Sequence, residues 1–213
     1  MQKHDIVIVI PCRNEEKTIS KVVKEAKKFA EVLVVDDASN DNTSKILKKD
    51  KIRFIKNFTN IGYEKSLIKG FKFILKNFIK KKYIITLDAD GELKPSNIQK
   101  LISSMKNLNS DLIIGRRSNY NRFSEKILNY VFFKKYKIYD PISGLKIYKV
   151  KYLKKIIKHL SSSMFLVDAV CFFKNMKLDI KNINIFVKKR VDNSRVGNYL
   201  TSNLKIIKII FQI

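Results

Sequence analysis

Cysteine is scarce in this chain. Cys12 and Cys171 form neither a CxxC pair nor part of a metal-ligand cluster. That excludes a disulfide framework and fits a reducing compartment, with both thiols buried rather than bridged. Long apolar runs are missing as well. No stretch reaches the roughly 18 apolar residues of a transmembrane helix. The first run, Ile6 to Ile10, is stopped by Pro11 and is too short for a signal peptide. The run from Leu204 to Ile213 is broken by Lys205 and Lys208, and reads either as an interfacial amphipathic segment or as a last helix packed on the domain. Arginine is also sparse (Arg13, Arg53, Arg116, Arg117, Arg122, Arg190 and Arg195), so the net charge of +26 is mostly lysine. With abundant Asn and Ile, this looks like a coding bias spread over solvated helix faces. There is no long basic block and no repeating aromatic platform, so nucleic-acid binding is not expected. Attraction to an anionic membrane surface is. Linkers, low-complexity segments and internal repeats are absent, and 213 residues at 45% hydrophobic content suffice for one domain with a sizeable core.

What is present is an alternation of short apolar runs with amphipathic stretches. Strands are expected at 5–11, 31–36, 52–56, 83–87 and 111–115, and helices at 15–30, 42–49, 63–80 and 95–108. Wholly apolar strands alternating with helices predict an α/β fold, a mostly parallel central sheet with helices on both faces. Beyond residue 120 the alternation weakens. A helix at 123–136, a loop at 139–144, a short strand at 145–148, helices near 150–160 and 165–176, and a strand at 180–188 follow. Ligands of such sheets sit at the carboxyl ends of the strands. Polar clusters fall there: Arg13-Asn14-Glu15, Asp36-Asp37-Ala38-Ser39, Asp88-Ala89-Asp90 and Arg116-Arg117.

The run Tyr83 to Gly91 is the most informative of these. It is an apolar strand ending in two carboxylates with one small residue between them. Side chains at i and i+2 of a strand share a side, so Asp88 and Asp90 can converge. Unpaired, they would repel until one took a proton. A hard divalent cation such as Mg²⁺ or Mn²⁺ removes that conflict and typically also holds a diphosphate. A solvated turn opening the helix at Pro95 is the plain alternative.

Taken in order, Pro11-Cys12-Arg13-Asn14-Glu15, Val34-Val35-Asp36-Asp37-Ala38-Ser39, Asn60-Ile61-Gly62 and Asp88-Ala89-Asp90-Gly91 resemble the successive motifs of family 2 glycosyltransferases of the GT-A (Rossmann-like) fold. Asp140-Pro141-Ile142-Ser143-Gly144-Leu145 resembles a later signature of the polyprenyl-phosphate sugar transferases, such as the dolichyl-phosphate mannose synthases. The resemblance runs from about residue 5 to about residue 200. It implies a GT-A domain over 1–200 followed by a C-terminal amphipathic tail over 201–213. It also implies an inverting hexosyltransferase that moves a sugar from a GDP- or UDP-linked donor to a polyprenyl phosphate. Pro11, Arg13, Glu15, Val35, Asp37, Asp88, Ala89, Arg117 and Arg122 would contact the nucleotide-sugar. Asp88, Asp90 and Glu92 would hold Mg²⁺ or Mn²⁺. Asp90, Arg195 and Asp168 would serve catalysis, Arg195 by neutralising the leaving diphosphate. The chain departs from the family's pattern in places: Arg13 replaces a usual Tyr, Tyr63 stands where Lys or Arg is common, Val170 where Glu is, and Tyr199-Leu200 replaces a Ser-Lys pair.

A phosphate acceptor is largely ionised near neutral pH and needs no dedicated base, in keeping with His4 and His159 lying outside every motif. A hydroxyl acceptor would need a positioned carboxylate, for which Asp168 is the candidate. The expected setting is cytoplasmic and peripheral, at the cytoplasmic face of the membrane, with a separate membrane partner possible. Competing expectations are a transferase to a saccharide hydroxyl, a basic nucleic-acid-binding module, and a non-catalytic sugar-nucleotide binder.

Overall fold

The computed structural model describes residues 1–120, 122–157, 164–188 and 199–210. Among these, seven strands form one sheet in the order β3-β2-β1-β4-β6-β5-β7. They are β1 (Ile6–Cys12), β2 (Glu31–Asp36), β3 (Phe54–Lys56), β4 (Tyr83–Thr86), β5 (Leu112–Arg116), β6 (Lys146–Lys149) and β7 (Ile180–Asn184). All neighbours run parallel except β6, which is antiparallel to both β4 and β5. The helices are α1 (Ile19–Ala26), α2 (Thr43–Lys49), α3 (Tyr63–Asn77), α4 (Pro95–Leu108), α5 (Phe123–Tyr136), α6 (Val150–Ile156), α7 (Phe165–Asn175) and α8 (Tyr199–Ile210).

Strand alternation sends side chains to two cores, one on each face. Val7, Val9, Leu33 and Val35 pack with α3, α5, α6, α7 and Ile206 of α8. Ile6, Ile8, Ile10, Val32 and Val34 pack with α1, α2 and α4. This double cover is why the strands read as unbroken apolar runs. Within it, α3 lies very close to β1 and β2. A Cβ on Gly70 would stand 2.6 Å from Val9 Cγ2 and 2.9 Å from Val35 Cγ2.

Several boundaries differ from the expected ones, for local reasons. The first helix begins at Ile19, not residue 15, because the backbone N–H of Glu15 donates to Thr43 Oγ1 (2.8 Å) and that of Glu16 to Asp41 Oδ2 (3.1 Å). The last strand ends at Asn184 rather than 188. Beyond it, Asn97 accepts from the Phe186 N–H (3.0 Å) and donates to the Phe186 carbonyl (2.7 Å), which turns the chain toward α4. The C-terminal segment is a helix packed on α5: Ile206 is buried, and Ser124 and Asn203 hydrogen-bond. No helix among the described residues is long and apolar enough to cross a membrane.

Candidate functional site

The carboxyl ends of β1, β2, β4 and β5 gather at one edge. Because β6 is reversed, the loop that enters it arrives at this same edge. Asp140 to Gly144 is therefore brought beside the end of β4 without any parallel crossover.

At the β1–β2 end, the polar residues bind one another. Asn14 N–H donates to Ser39 Oγ (3.0 Å), and Asn40 N–H to Asn14 Oδ1 (2.9 Å). Thr18 Oγ1 donates to the buried Glu15 carboxylate (2.8 Å). Asp36 is fully buried and accepts from the Ser39 N–H (2.9 Å) and from Ser44. Asp37 is the anchor of the loop after β3. Its Oδ1 accepts from Asn57 Nδ2 (2.8 Å) and the Ile61 N–H (2.9 Å), and its Oδ2 from the Gly62 N–H (2.8 Å). A carboxylate expected to meet a base thus spends three acceptor positions on holding the 57–62 loop.

At the β4 end, Tyr63 hydroxyl donates to Asp88 Oδ1 (2.6 Å). Gly144 presses on the same carboxylate: a Cβ there would lie 2.0 Å from Asp88 Oδ2. Burial, then the charge of Asp90, push Asp88 up to about 6, while Tyr63, Arg117 and Lys146 pull it down. Asp90 Oδ1 accepts from the Glu92 N–H (3.0 Å), an Asx turn that aims the loop onward. Asp88, Asp90 and Glu92 all line a cavity of about 290 Å³ between this loop, α1 and α4. Among the described residues no three His, Cys, Asp or Glu side chains converge as a metal cluster, so the expected triple set is not assembled. The pair still fits a hard divalent cation. The charge of Asp90 raises the cost of charging Asp88, and Mg²⁺ commonly takes only one or two protein carboxylates with substrate phosphates and water.

At the β5 end, Arg117 is gripped rather than open. Its Nε and backbone N–H donate to Asp140 Oδ2 (2.9 and 3.0 Å), and its Nη2 to Asp140 Oδ1 (2.8 Å). This bidentate pair raises the guanidinium further above its ordinary range. Arg122 lies 3.6 Å from Glu125. Arg116 stacks on Tyr139, its guanidinium carbon 3.6 Å from the ring centre. Arg13 is exposed at the β1 end.

Three residues expected to contact the nucleotide offer it no exposed side chain. Val35 is a core side chain beneath α3, fully buried against Gly70, and offers a nucleotide no side-chain surface. Pro11 and Ala89 are buried too, Ala89 in the core shared with α1 and α4. Asp168 is in the first turn of α7, where the Leu166 N–H donates to Glu64 Oε2 (3.4 Å), beside Tyr63. Arg195 and His159 lie outside the described residues. Sequence reasoning passed over Lys146. It is fully buried in β6, its Nζ donating to the Ser143 carbonyl (2.6 Å), and burial drives it down to about 7 against the pull of Asp140, Glu64 and Asp88. A lysine inside the apolar run Leu145 to Tyr148 was the available signal.

The fold and edge define a class: an open α/β domain with its polar loops collected over the strand ends. The chain belongs to glycosyl transferase family 2, whose family model matches residues 7–172. An uncharacterised protein of Methanocaldococcus jannaschii is 31% identical over 229 aligned residues, covering 100% of this chain and 93% of the relative. The UDP-N-acetylglucosamine–dolichyl-phosphate N-acetylglucosaminyltransferase of Methanococcus voltae is 28% identical, with 84% of each chain covered. Among solved structures, glucosyl-3-phosphoglycerate synthase from Mycobacterium tuberculosis with Mn²⁺, UDP and glucosyl-3-phosphoglycerate superposes with a TM-score of 0.75 at 16% identity, covering 98% of this chain and 80% of that one. That likeness shows the GT-A fold.

Proposed function

We propose that this chain transfers a sugar, with inversion, from a GDP- or UDP-linked donor to a polyprenyl phosphate at the cytoplasmic membrane surface. The observation that carries the reading is the contact of Gly144 with Asp88. It joins the loop that resembles the lipid-phosphate transferases directly to the acidic motif. The dolichyl-phosphate specificity in the name of the Methanococcus relative supports it.

In this reading Asp88 and Asp90 hold Mg²⁺ or Mn²⁺, with Glu92 behind them through the Asp90 turn. A cation held there would supply electrostatic stabilisation of the departing diphosphate. Arg195 adds positive charge there, and the 57–62 loop carried by Asp37 borders the nucleotide together with Arg13 and Glu15. Arg117 and Arg122, each held by a carboxylate, present guanidinium N–H donors toward the phosphates. An acceptor phosphate attacks as the anion it already is. A hydroxyl acceptor would instead need a base at hand, the role left to Asp168. The 1–200 region is the catalytic domain. The 201–213 tail, with α5, is the side that meets lipid, alone or with a membrane partner.

The test is a panel of radiolabelled UDP- and GDP-sugars with Mn²⁺ or Mg²⁺, offered a polyprenyl phosphate or a free saccharide. Metal-dependent label in the organic phase is the expected result. Label confined to the aqueous saccharide would overturn the lipid acceptor, and no transfer with any donor would overturn the reaction.

A further inference from the structure

We propose that Tyr63 is a positioning residue for the Asp88 carboxylate, fixing it in the orientation in which it receives the metal. The inference rests on the metal-dependent reading above and adds a residue to it. Three observations carry it.

The hydroxyl of Tyr63 donates to Asp88 Oδ1 at 2.6 Å, a short, charge-assisted bond. Gly144 packs against both oxygens of the same carboxylate so tightly that no β-carbon could stand there. The carboxylate is thus fixed by a donor and by a close-packed backbone. An ionised carboxylate has about four lone-pair positions. Tyr63 takes one and leaves the rest for a cation.

Tyr63 is itself immobilised. It is the first residue of α3, immediately after Gly62, whose φ of 90° suits glycine. The N–H groups of Ile61 and Gly62 are both pinned on Asp37, and the Ser66 N–H bonds back to the Gly62 carbonyl (3.0 Å). Asp37 at the end of β2 is therefore tied to Asp88 at the end of β4 by hydrogen bonds at each end of the covalent stretch from Ile61 to Tyr63. That tie reaches the metal motif through a single phenol. Partners of this kind behind a metal ligand set its orientation, and losing one typically weakens metal binding about 10- to 100-fold.

Mn²⁺ itself is the probe. Binding to the full chain is followed by loss of the free-ion electron paramagnetic resonance signal, alone and with UDP or GDP. The parent is compared with Tyr63→Phe, Gly144→Ala and Asp88→Asn. Tyr63→Phe keeps the ring and removes one donor from a buried carboxylate, so its metal-free melting temperature should fall only by what a lost hydrogen bond costs, with the fold retained. Its Mn²⁺ dissociation constant should rise about tenfold or more. Gly144→Ala, whose β-carbon would displace the carboxylate, should weaken Mn²⁺ in the same direction. In the transfer assay, the half-saturating Mn²⁺ concentration should rise for Tyr63→Phe while kcat at saturating Mn²⁺ stays near the parent's. Parental Mn²⁺ affinity in Tyr63→Phe, with affinity lost in Asp88→Asn, would overturn the role of Tyr63 and leave the metal site standing. Equal behaviour of Asp88→Asn and the parent would overturn the metal site, and this proposal with it.

Discussion

Asp88 carries a charge that its surroundings resist, and Lys146 does the same with the opposite sign. For Asp88 the folded protein favours the proton, up to about 6 against an ordinary 3.8. The metal-free protein therefore loses stability as pH rises from about 4 to about 6, and the full cost persists above that window. Asp88→Asn keeps an oxygen for Tyr63 and removes the charge. At pH 7.5 and without metal it should unfold at higher urea than the parent, by on the order of 1–3 kcal/mol at about 1.4 kcal/mol per pKa unit. The difference should close below pH ~4. Equal midpoints at pH 7.5 would show that Asp88 is not strained by burial. Lys146 runs the other way. Its folded value of about 7 lies below the ordinary 10.5, so the unfolded chain binds the extra proton between those values. Stability from this group rises with pH across that window. Lys146→Met should therefore exceed the parent in stability most at pH 7 and least near pH 10, as read by chemical denaturation. A constant difference across that range would count against a titrating Lys146.

Helix α3 shows how an element is placed by what it lacks. Its approach to β1 and β2 depends on Gly70, where the nearest atoms are methyl groups of two fully buried valines. Neither valine can swing away. Gly70→Ala should cost about 1–3 kcal/mol by overpacking, although alanine is the better helix former. Because α3 starts at Tyr63, the same change should also disturb Asp88. An unchanged urea midpoint would mean the helix can lift without penalty. The alternation of strands and helices through β5 was legible because each strand is covered on both faces, so apolar runs and amphipathic stripes appear in turn. The burial of Val35 beneath α3 was not read, although it alternates with Val34 onto the face of Leu33. The reversal of β6 was not, because a four-residue apolar run carries no direction. Nor was the engagement of Asp37, which depends on backbone groups 24 and 25 residues later in the chain.

At the scale of the whole molecule, charge and shape act together. The net charge of +26 is accompanied by exposed apolar side chains on the paired α5 and α8, with Phe123 72% and Leu204 65% exposed. Such a surface should bring the protein up with anionic vesicles in a flotation gradient at low salt and release it as screening increases. Failure to float at low salt would remove the membrane from the account. Neutral vesicles set the baseline, since screening leaves apolar insertion largely untouched.

The lone antiparallel strand has a consequence for how such a protein can diversify. In the proposed reading, residues up to 116 supply the acidic motif and the nucleotide side, and the 117–145 excursion brings the acceptor side to it through β6. The two meet at Asp88 and Gly144, at Gly115 and Leu145, and in the core through Leu128, Phe132 and Ile138. A graft of that excursion from a relative with a different acceptor, spliced at the ends of β5 and β6, should import the new acceptor preference while nucleotide selection stays with the host.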